Sequence, residues 1–376
     1  MASTAPGAQG HATSAFRLPP SHFISRMPKV ELHVHLEGAI APGTLLTLAR
    51  RNGVALPADD EAGLRRWFAF RDFAHFVEIY VAITRCLRHV EDYELIAYEF
   101  GATMARQQIR YAEATFSPCT HWKLGVPQEV WWRGLSAGRR RAQEEFGVRF
   151  NWVFDIVRAP MLEPQVRRER ADYTTAVAIE GLRDGVVGIG LGGTEVGAPP
   201  EPFAPWFDRA RAAGLRSVPH AGETVGPTSI RGALRALGAE RLGHGVRCLE
   251  DPALVAELRE RQIPLEVCPT SNVCLGGSPT LAGHQLPQLL AAGLYVTLNS
   301  DDPPLFNTTL TDEYLRCAAT FGWNLDDITG LVLNGVRAAL LPDAERTALE
   351  AAFRAEFAAL RDEATAMGEL VAGDGS

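Results

Sequence analysis

The chain has 376 residues, 46% of them hydrophobic and 22% charged, with a formal net charge of -8. That composition supplies a large core and excludes a general nucleic-acid or membrane-surface binder, which needs a basic face; the one basic run, Arg139-Arg140-Arg141, is expected on a solvated helix. The six cysteines form no Cys-x-x-Cys pair and no run of about 18 apolar residues occurs, so reduced thiols, no membrane span and a cytoplasmic location are expected.

Residues 1–20 are small, polar and rich in Pro and Gly, and read as a disordered leader that includes His11. A single unit is expected over 21–370, with a frayed tail over 371–376. From Pro28 onward, short runs rich in Val, Ile and aromatics alternate with helical patterns. Strands are predicted over 29–36, 109–116, 149–157, 186–191, 216–220, 241–245, 264–268 and 295–299. Amphipathic helices such as 201–213, 252–261 and 286–292 lie between them. Eight alternations point to an α/β chain folded as a (β/α)8 TIM barrel, with a doubly wound open sheet as the rival. The gap after the first strand is too long for one helix. One helix predicted over 42–52 and two or three more over 67–86 and 90–107 make it a helical insertion, about 42–107, placed to cover a barrel mouth. Helices over 310–341 and 344–367 close the chain.

The predicted strand ends concentrate polar groups. The first carries His33 and His35, which the two-residue period of a strand puts on one face, and then Glu37. The fourth runs into Gly192-Gly193-Thr194-Glu195, and the fifth into His220-Ala221-Gly222-Glu223. The sixth holds Gly243-His244-Gly245 and the seventh Cys268-Pro269-Thr270-Ser271-Asn272. The eighth ends in Asn299-Ser300-Asp301-Asp302-Pro303. In a barrel these ends converge on the active site. Histidines and an aspartate form a nitrogen/oxygen donor set suited to zinc or a related first-row ion, with one position open for water. Such an ion lowers the pKa of its water towards neutrality. Glu223, three residues after His220, is a general acid/base candidate beside that water. Neighbouring carboxylates repel unless one binds a cation or a proton. Asp301 as ligand and Asp302 as hydrogen-bond partner of water or substrate divide the work. No lysine stands at these ends, which favours one metal over a lysine-bridged pair.

Each of these residues has a plainer alternative. His33, His35 and His220 could be satisfied core histidines, Glu223 a helix cap, and His244 and Asp301-Asp302-Pro303 turns. His22, His75, His89, His121 and His284 are read as non-functional, and Thr270-Ser271-Asn272 as a turn. Gly192-Gly193 reads as a close approach of backbone to a flat ligand.

From Met27-Pro28-Lys29-Val30-Glu31-Leu32-His33-Val34-His35-Leu36-Glu37-Gly38 through Ser300-Asp301-Asp302-Pro303, the order and spacing of these motifs resemble the adenosine deaminase family of metal-dependent amidohydrolase barrels. The resemblance implies one zinc ion per subunit on His33, His35, His220 and Asp301. It implies that Glu223 protonates the ring nitrogen beside the carbon under attack, and that His244 deprotonates or orients the water. Asp302 would orient the hydroxide or bond the purine, and the backbone at Gly193 would contact the purine's far edge. The implied reaction is hydrolytic loss of a 6-amino group through a tetrahedral adduct, giving the 6-oxo purine and ammonia.

The chain departs from the pattern twice. The family's best-known members are similar to His-x-His-Leu-Asp-Gly, whose aspartate bonds the ribose 5′-hydroxyl; here that position is Glu37. They carry Asp-Glu after the strand-four glycine; here it is Thr194-Glu195. Glu at the first position is seen in adenine deaminases and in bacterial relatives acting on 6-amino-6-deoxyfutalosine. Phe116-Ser117-Pro118 looks more like the nucleoside enzymes. The expected partner is therefore a small purine, adenosine or aminodeoxyfutalosine, read by Glu37, Gly193 and Asp302. A free-adenine deaminase, with Glu37 filling ribose space, is the alternative. A non-catalytic nucleoside-binding barrel is a further one. An oligomer is compatible with all three.

Overall fold

The first strand is buried along almost its whole length, and the reason lies in how the sheet closes. The computed structural model describes residues 21–71 and 73–366; the leader over 1–20 and the tail over 371–376 fall outside the described residues. Strands β1 (Lys29–His35), β2 (Ile109–Phe116), β3 (Arg149–Arg158) and β4 (Val186–Gly193) pair in that order, all parallel. Strand β5 comes in two pieces. Arg216–Ser217 pairs with β4, and His220–Ala221 pairs with β6 (Leu242–His244). Pro219 lies between the pieces and has no N–H to give to a ladder. β7 (Leu265–Val267) and β8 (Val296–Leu298) complete the set. The ring then closes on itself. His35 N–H donates to the Asp301 carbonyl at 2.9 Å, and Asp301 N–H donates to the His33 carbonyl at 3.0 Å. An open sheet is thereby excluded. Parallel strands covered on both faces also explain why the sequence shows near-continuous apolar runs rather than alternation.

Helix α1 (Ser21–Arg26) precedes the barrel, and four helices separate β1 from β2: α2 (Pro42–Asn52), α3 (Glu61–Phe68), α4 (Phe73–Thr84) and α5 (Val90–Arg106). The cap of α2 is as expected, with Gly53 at φ 63° donating its N–H to Ala49. The two or three helices predicted over 67–86 and 90–107 are the end of α3, α4 and α5. Phe70 leaves the helical path to pack its ring on Phe76 and Phe306, 5.3 and 5.8 Å away. The helix predicted over 310–341 breaks into Leu310–Phe321 and Leu325–Ala338. Gly322 at φ 69° ends the first, and the Asn324 side chain caps the second by accepting from Asp326 and Asp327 N–H. Asp343–Ala366 is the last helix. Among the described residues, no helix is long and apolar enough to cross a membrane.

Aromatic side chains of β2, β3 and the helix Gln128–Phe146 form one part of the core, with Phe116 5.3 Å from Trp131 and 5.7 Å from Phe154. Truncating such a ring to Ala typically costs about 3–5 kcal/mol. Deeper in the barrel stands a buried ionic bridge. Arg241 donates to Glu113 and to Glu266, both at 2.5 Å, and to the Ala338 carbonyl at 2.8 Å. Three buried charges tolerate this position because each is paired and hydrogen-bonded. The bridge ties β2, β6 and β7 to the C-terminal helices, and its far end reaches the histidine of the first strand.

Candidate active site

His33 and His35 leave β1 on one face, as the strand period requires. The Glu266 carboxylate accepts from His33 Nδ1 at 2.9 Å. A carboxylate can only accept, so His33 Nδ1 carries a proton; against burial, the Asp301 and Glu266 carboxylates hold the ring well above its ordinary pKa, and a metal ion at Nε2 would take the place of the proton there. That Nε2 is buried and has no hydrogen-bond partner. It lies 3.6 Å from Asp301 Oδ1, and His35 Nε2 lies 3.4 Å from the same oxygen. His35 Nε2 and His220 Nε2 are 3.2 Å apart. Burial lowers His35 to about 4 and His220 well below its usual range, so both stand as neutral imidazoles. Three imidazole nitrogens and one carboxylate oxygen thus converge, with His33 Nε2 lacking any hydrogen-bond partner. This set fits a divalent metal ion. Cys268 also comes within 4.8 Å of His244 and Asp301. Burial pushes its thiol well above its ordinary pKa, so it is a neutral neighbour rather than a thiolate ligand.

Two residues of the site have strained backbones. His244 sits at φ 62° and Asp301 at φ 67°, a region that costs a non-glycine residue roughly 1–3 kcal/mol. The conformation turns His244 Nε2 towards Glu223 Oε1 at 3.7 Å and Asp301 Oδ2 at 3.8 Å. Ser271 Oγ donates to that same Asp301 oxygen at 2.6 Å. Glu223 lines the cavity, and burial, then the Asp301 and Glu195 carboxylates, push its carboxyl up to about 8. Burial and the adjacent Asp301 raise Asp302 well above the carboxylate range, and its Oδ1 has no partner. Gly38 packs so closely on Asp302 that an added Cβ would fall 1.6 Å from Oδ1. Gly193, at φ 81°, lies on the cavity wall against the Arg158 carbonyl.

His35, Gly193, His220, Glu223, His244, Asp301 and Asp302 open on one cavity of about 390 Å³. Its inner end is lined by His35, His220, His244, Glu223, Asp301 and Asp302. Its mouth is apolar: Val77 from α4, with Leu124 and Met161 from the loops after β2 and β3, is partly exposed, Met161 by 74%. Glu37 is fully buried and is not among the lining residues. It stands behind Ser117 and Tyr80, which do line the cavity. One of its oxygens accepts from Ser117 N–H at 3.1 Å and from His121 Nε2 at 3.0 Å.

A family model described as adenosine deaminase matches residues 28–354. The chain belongs to the adenosine deaminase family. It is 43% identical to aminodeoxyfutalosine deaminase from Streptomyces avermitilis over 332 residues, 88% of this chain and 91% of that protein. It is 38% identical to adenine deaminase from Streptomyces coelicolor over 346 residues, 91% of this chain and 98% of that protein. The crystal structure of adenine deaminase from Arthrobacter aurescens matches with a TM-score of 0.79 at 33% identity, covering 87% of this chain and 98% of that one. An amidohydrolase from Burkholderia ambifaria with bound Zn matches with a TM-score of 0.83 at 28% identity, covering 94% and 97%. The α/β barrel expected from the sequence is therefore the family's fold, and this family member is a hydrolytic deaminase.

Further residues stand in or behind the site to which the sequence reading gave no part in the chemistry. Asp155, at the end of β3, lines the cavity with Oδ1 unpartnered and Oδ2 4.0 Å from His220 Nδ1. An acid inside the apolar run Trp152-Val153-Phe154-Asp155-Ile156 was the available signal. Glu195 accepts from the N–H groups of Gly222, Thr224 and Val225 at 2.7 to 2.8 Å, and so shapes the loop that carries Glu223. His121 is completely buried between Glu37 and Tyr93, whose hydroxyl meets its Nδ1 at 2.8 Å. Pro269–Cys274 forms a short helix rather than a turn, and sends Ser271 to Asp301 and Asn272 to His244.

Proposed function

We propose that this deaminase is a zinc enzyme acting on a 6-aminopurine nucleoside, with aminodeoxyfutalosine ahead of adenosine, and that its barrel works as a single unit over 21–370. The observation that carries the reading is the convergence of His33 Nε2, His35 Nε2, His220 Nε2 and Asp301 Oδ1 at the inner end of a cavity that also holds Glu223. The substrate preference is supported by relatives at 43% and 44% identity that are named aminodeoxyfutalosine deaminase.

His33, His35, His220 and Asp301 would hold the ion, which when bound supplies an acidified water as nucleophile. Glu223 carries its proton at neutral pH and gives it to the ring nitrogen beside C6. That proton makes C6 electrophilic. His244 and Asp302, both on the cavity lining, hold the attacking oxygen. The backbone at Gly193, on the cavity lining, meets the purine edge. Water adds at C6, the C6–amino bond then breaks, and ammonia leaves with the 6-oxo purine as the other product. Glu37 acts on the sugar end through the wall it supports, Ser117 and Tyr80, rather than by filling the cavity.

Ammonia release from aminodeoxyfutalosine, adenosine and adenine, measured side by side with and without a chelator, tests the proposal. The nucleosides are expected to lead and chelation to stop all three. Adenine fastest by a wide margin would favour the second reading, a free-adenine deaminase, which the 38% identical Streptomyces coelicolor relative supports. No turnover of any of them would leave a binding barrel.

A further inference from the structure

The hydrogen bonds behind His244 run in a single direction. The chain starts at a backbone N–H, whose proton cannot be reassigned. Leu286 N–H donates to His284 Nδ1 at 2.9 Å. That nitrogen is therefore the lone-pair nitrogen of its ring. His284 is buried, and burial followed by the nearby His244 pushes it down to about 4, so the ring is neutral with its proton on Nε2. His284 Nε2 faces Asn272 Oδ1 at 3.2 Å and donates to it. Turning the Asn272 amide over would set its NH₂ against that N–H, donor against donor. The amide orientation is thus fixed, and Asn272 Nδ2 donates to His244 Nδ1 at 3.1 Å. His244 Nδ1 accepts, which leaves the His244 proton on Nε2. This is the nitrogen 3.7 Å from Glu223 Oε1 and 3.8 Å from Asp301 Oδ2.

We infer that His284 is a positioning residue that acts through Asn272 to hold His244 as its Nε2–H tautomer, so that His244 offers the site a hydrogen-bond donor and not a lone pair. The inference rests on the deaminase reading for its meaning, since it separates the two roles open to His244. A neutral imidazole in this tautomer orients and stabilises the attacking oxygen by donating to it. It has no lone pair at Nε2 with which to take a proton from the water. The direction is set some way from the chemistry, at a backbone N–H on the first residue of the helix Leu286–Ala291.

Nitrogen NMR of histidine-labelled protein tests this, on the zinc-loaded and on the chelator-treated enzyme, with the His244 signals assigned by their loss in His244→Gln. The expected wild-type pattern is a protonated Nε2 and a bare Nδ1. In Asn272→Asp the carboxylate can only accept, so the His244 proton moves to Nδ1 and kcat falls roughly 10²-fold, the scale of losing one preorganised donor. The His284 variants give a second route if Asn272→Asp does not fold. His284→Gln can accept from Leu286 N–H and donate to Asn272, and is expected to keep the Nε2–H pattern. His284→Phe fills the same space without the relay, and is expected to lose both the pattern and about tenfold or more in kcat. A protonated His244 Nδ1 in the wild type would overturn the inference, as would identical behaviour of His284→Gln and His284→Phe. The spectra decide it even if no 6-aminopurine proves to be a substrate, an outcome that would sink the proposed function alone.

Discussion

The inner end of the cavity and its mouth are built in opposite ways. At the inner end several of the side chains that face the cavity or the donor set are braced from behind. His33 is held by Glu266, Glu266 by Arg241, Asp301 by Ser271, His244 by Asn272, and Glu223's loop by Glu195. At the mouth, Val77, Leu124 and Met161 from the α4 insertion and two loops are partly open to solvent beside the exposed Lys123, whose ammonium reaches Glu169 at 3.8 Å. Rigid, satisfied polar networks fix geometry for bond-making. Apolar rims on loops tolerate exchange and decide what is admitted. The difference teaches that reaction type and substrate choice reside in separate layers of this protein, only one of which is tightly constrained.

That separation can be broken or sharpened by experiment. The largest effect belongs to the ion itself: treatment with a chelator should bring ammonia release to background, and added zinc should restore it. Retained turnover in protein shown by elemental analysis to be metal-free would remove the metal from the inner end. Next, Glu223→Gln should lower kcat by roughly 10²–10⁴-fold with metal content unchanged. Near-wild-type turnover would strip Glu223 of its acid role. One layer further out, Glu266→Gln should weaken metal affinity by about 10–100-fold, because it loosens the partner that holds His33 Nδ1. Competition with a coloured chelator reads that directly, and unaltered affinity would show that the bridge serves the barrel alone. The smallest effects should come from the mouth. Leu124→Ser should raise KM for a nucleoside by about fivefold, the equivalent of losing about 1 kcal/mol of apolar contact. A kcat loss on the scale of Glu223→Gln would erase the distinction between the two layers.

The same division governs what the sequence could reveal. The strand ends were readable because chemistry and spacing coincide there. His-x-His on one strand face, His220 three residues from Glu223 and the Asp301-Asp302 pair all sit within short windows. The eight strands were readable because buried parallel strands are unbroken apolar runs. What escaped depends on partners distant in sequence. His121 acquires its meaning from Glu37, 84 residues away, and Arg241 from Glu113, 128 residues away. No local pattern encodes such meetings. His284 looked like a loop histidine because its importance lies in the direction of a hydrogen bond, which residue types do not express. The helix break at Gly322 was missed for a related reason: a left-handed glycine overrides a continuous helical pattern.

The closure of the barrel has a consequence for how this protein comes into being. The Leu32 N–H is received by Asn299, 267 residues later, and the His33 and His35 backbone is stitched to Asp301. During synthesis the two histidines of the first strand leave the ribosome long before their carboxylate partner exists. They must wait through the making of seven further strands, and the finished donor set appears only when the last of them docks. With the ion on the four residues proposed to hold it, loading with metal is an event of the completed chain.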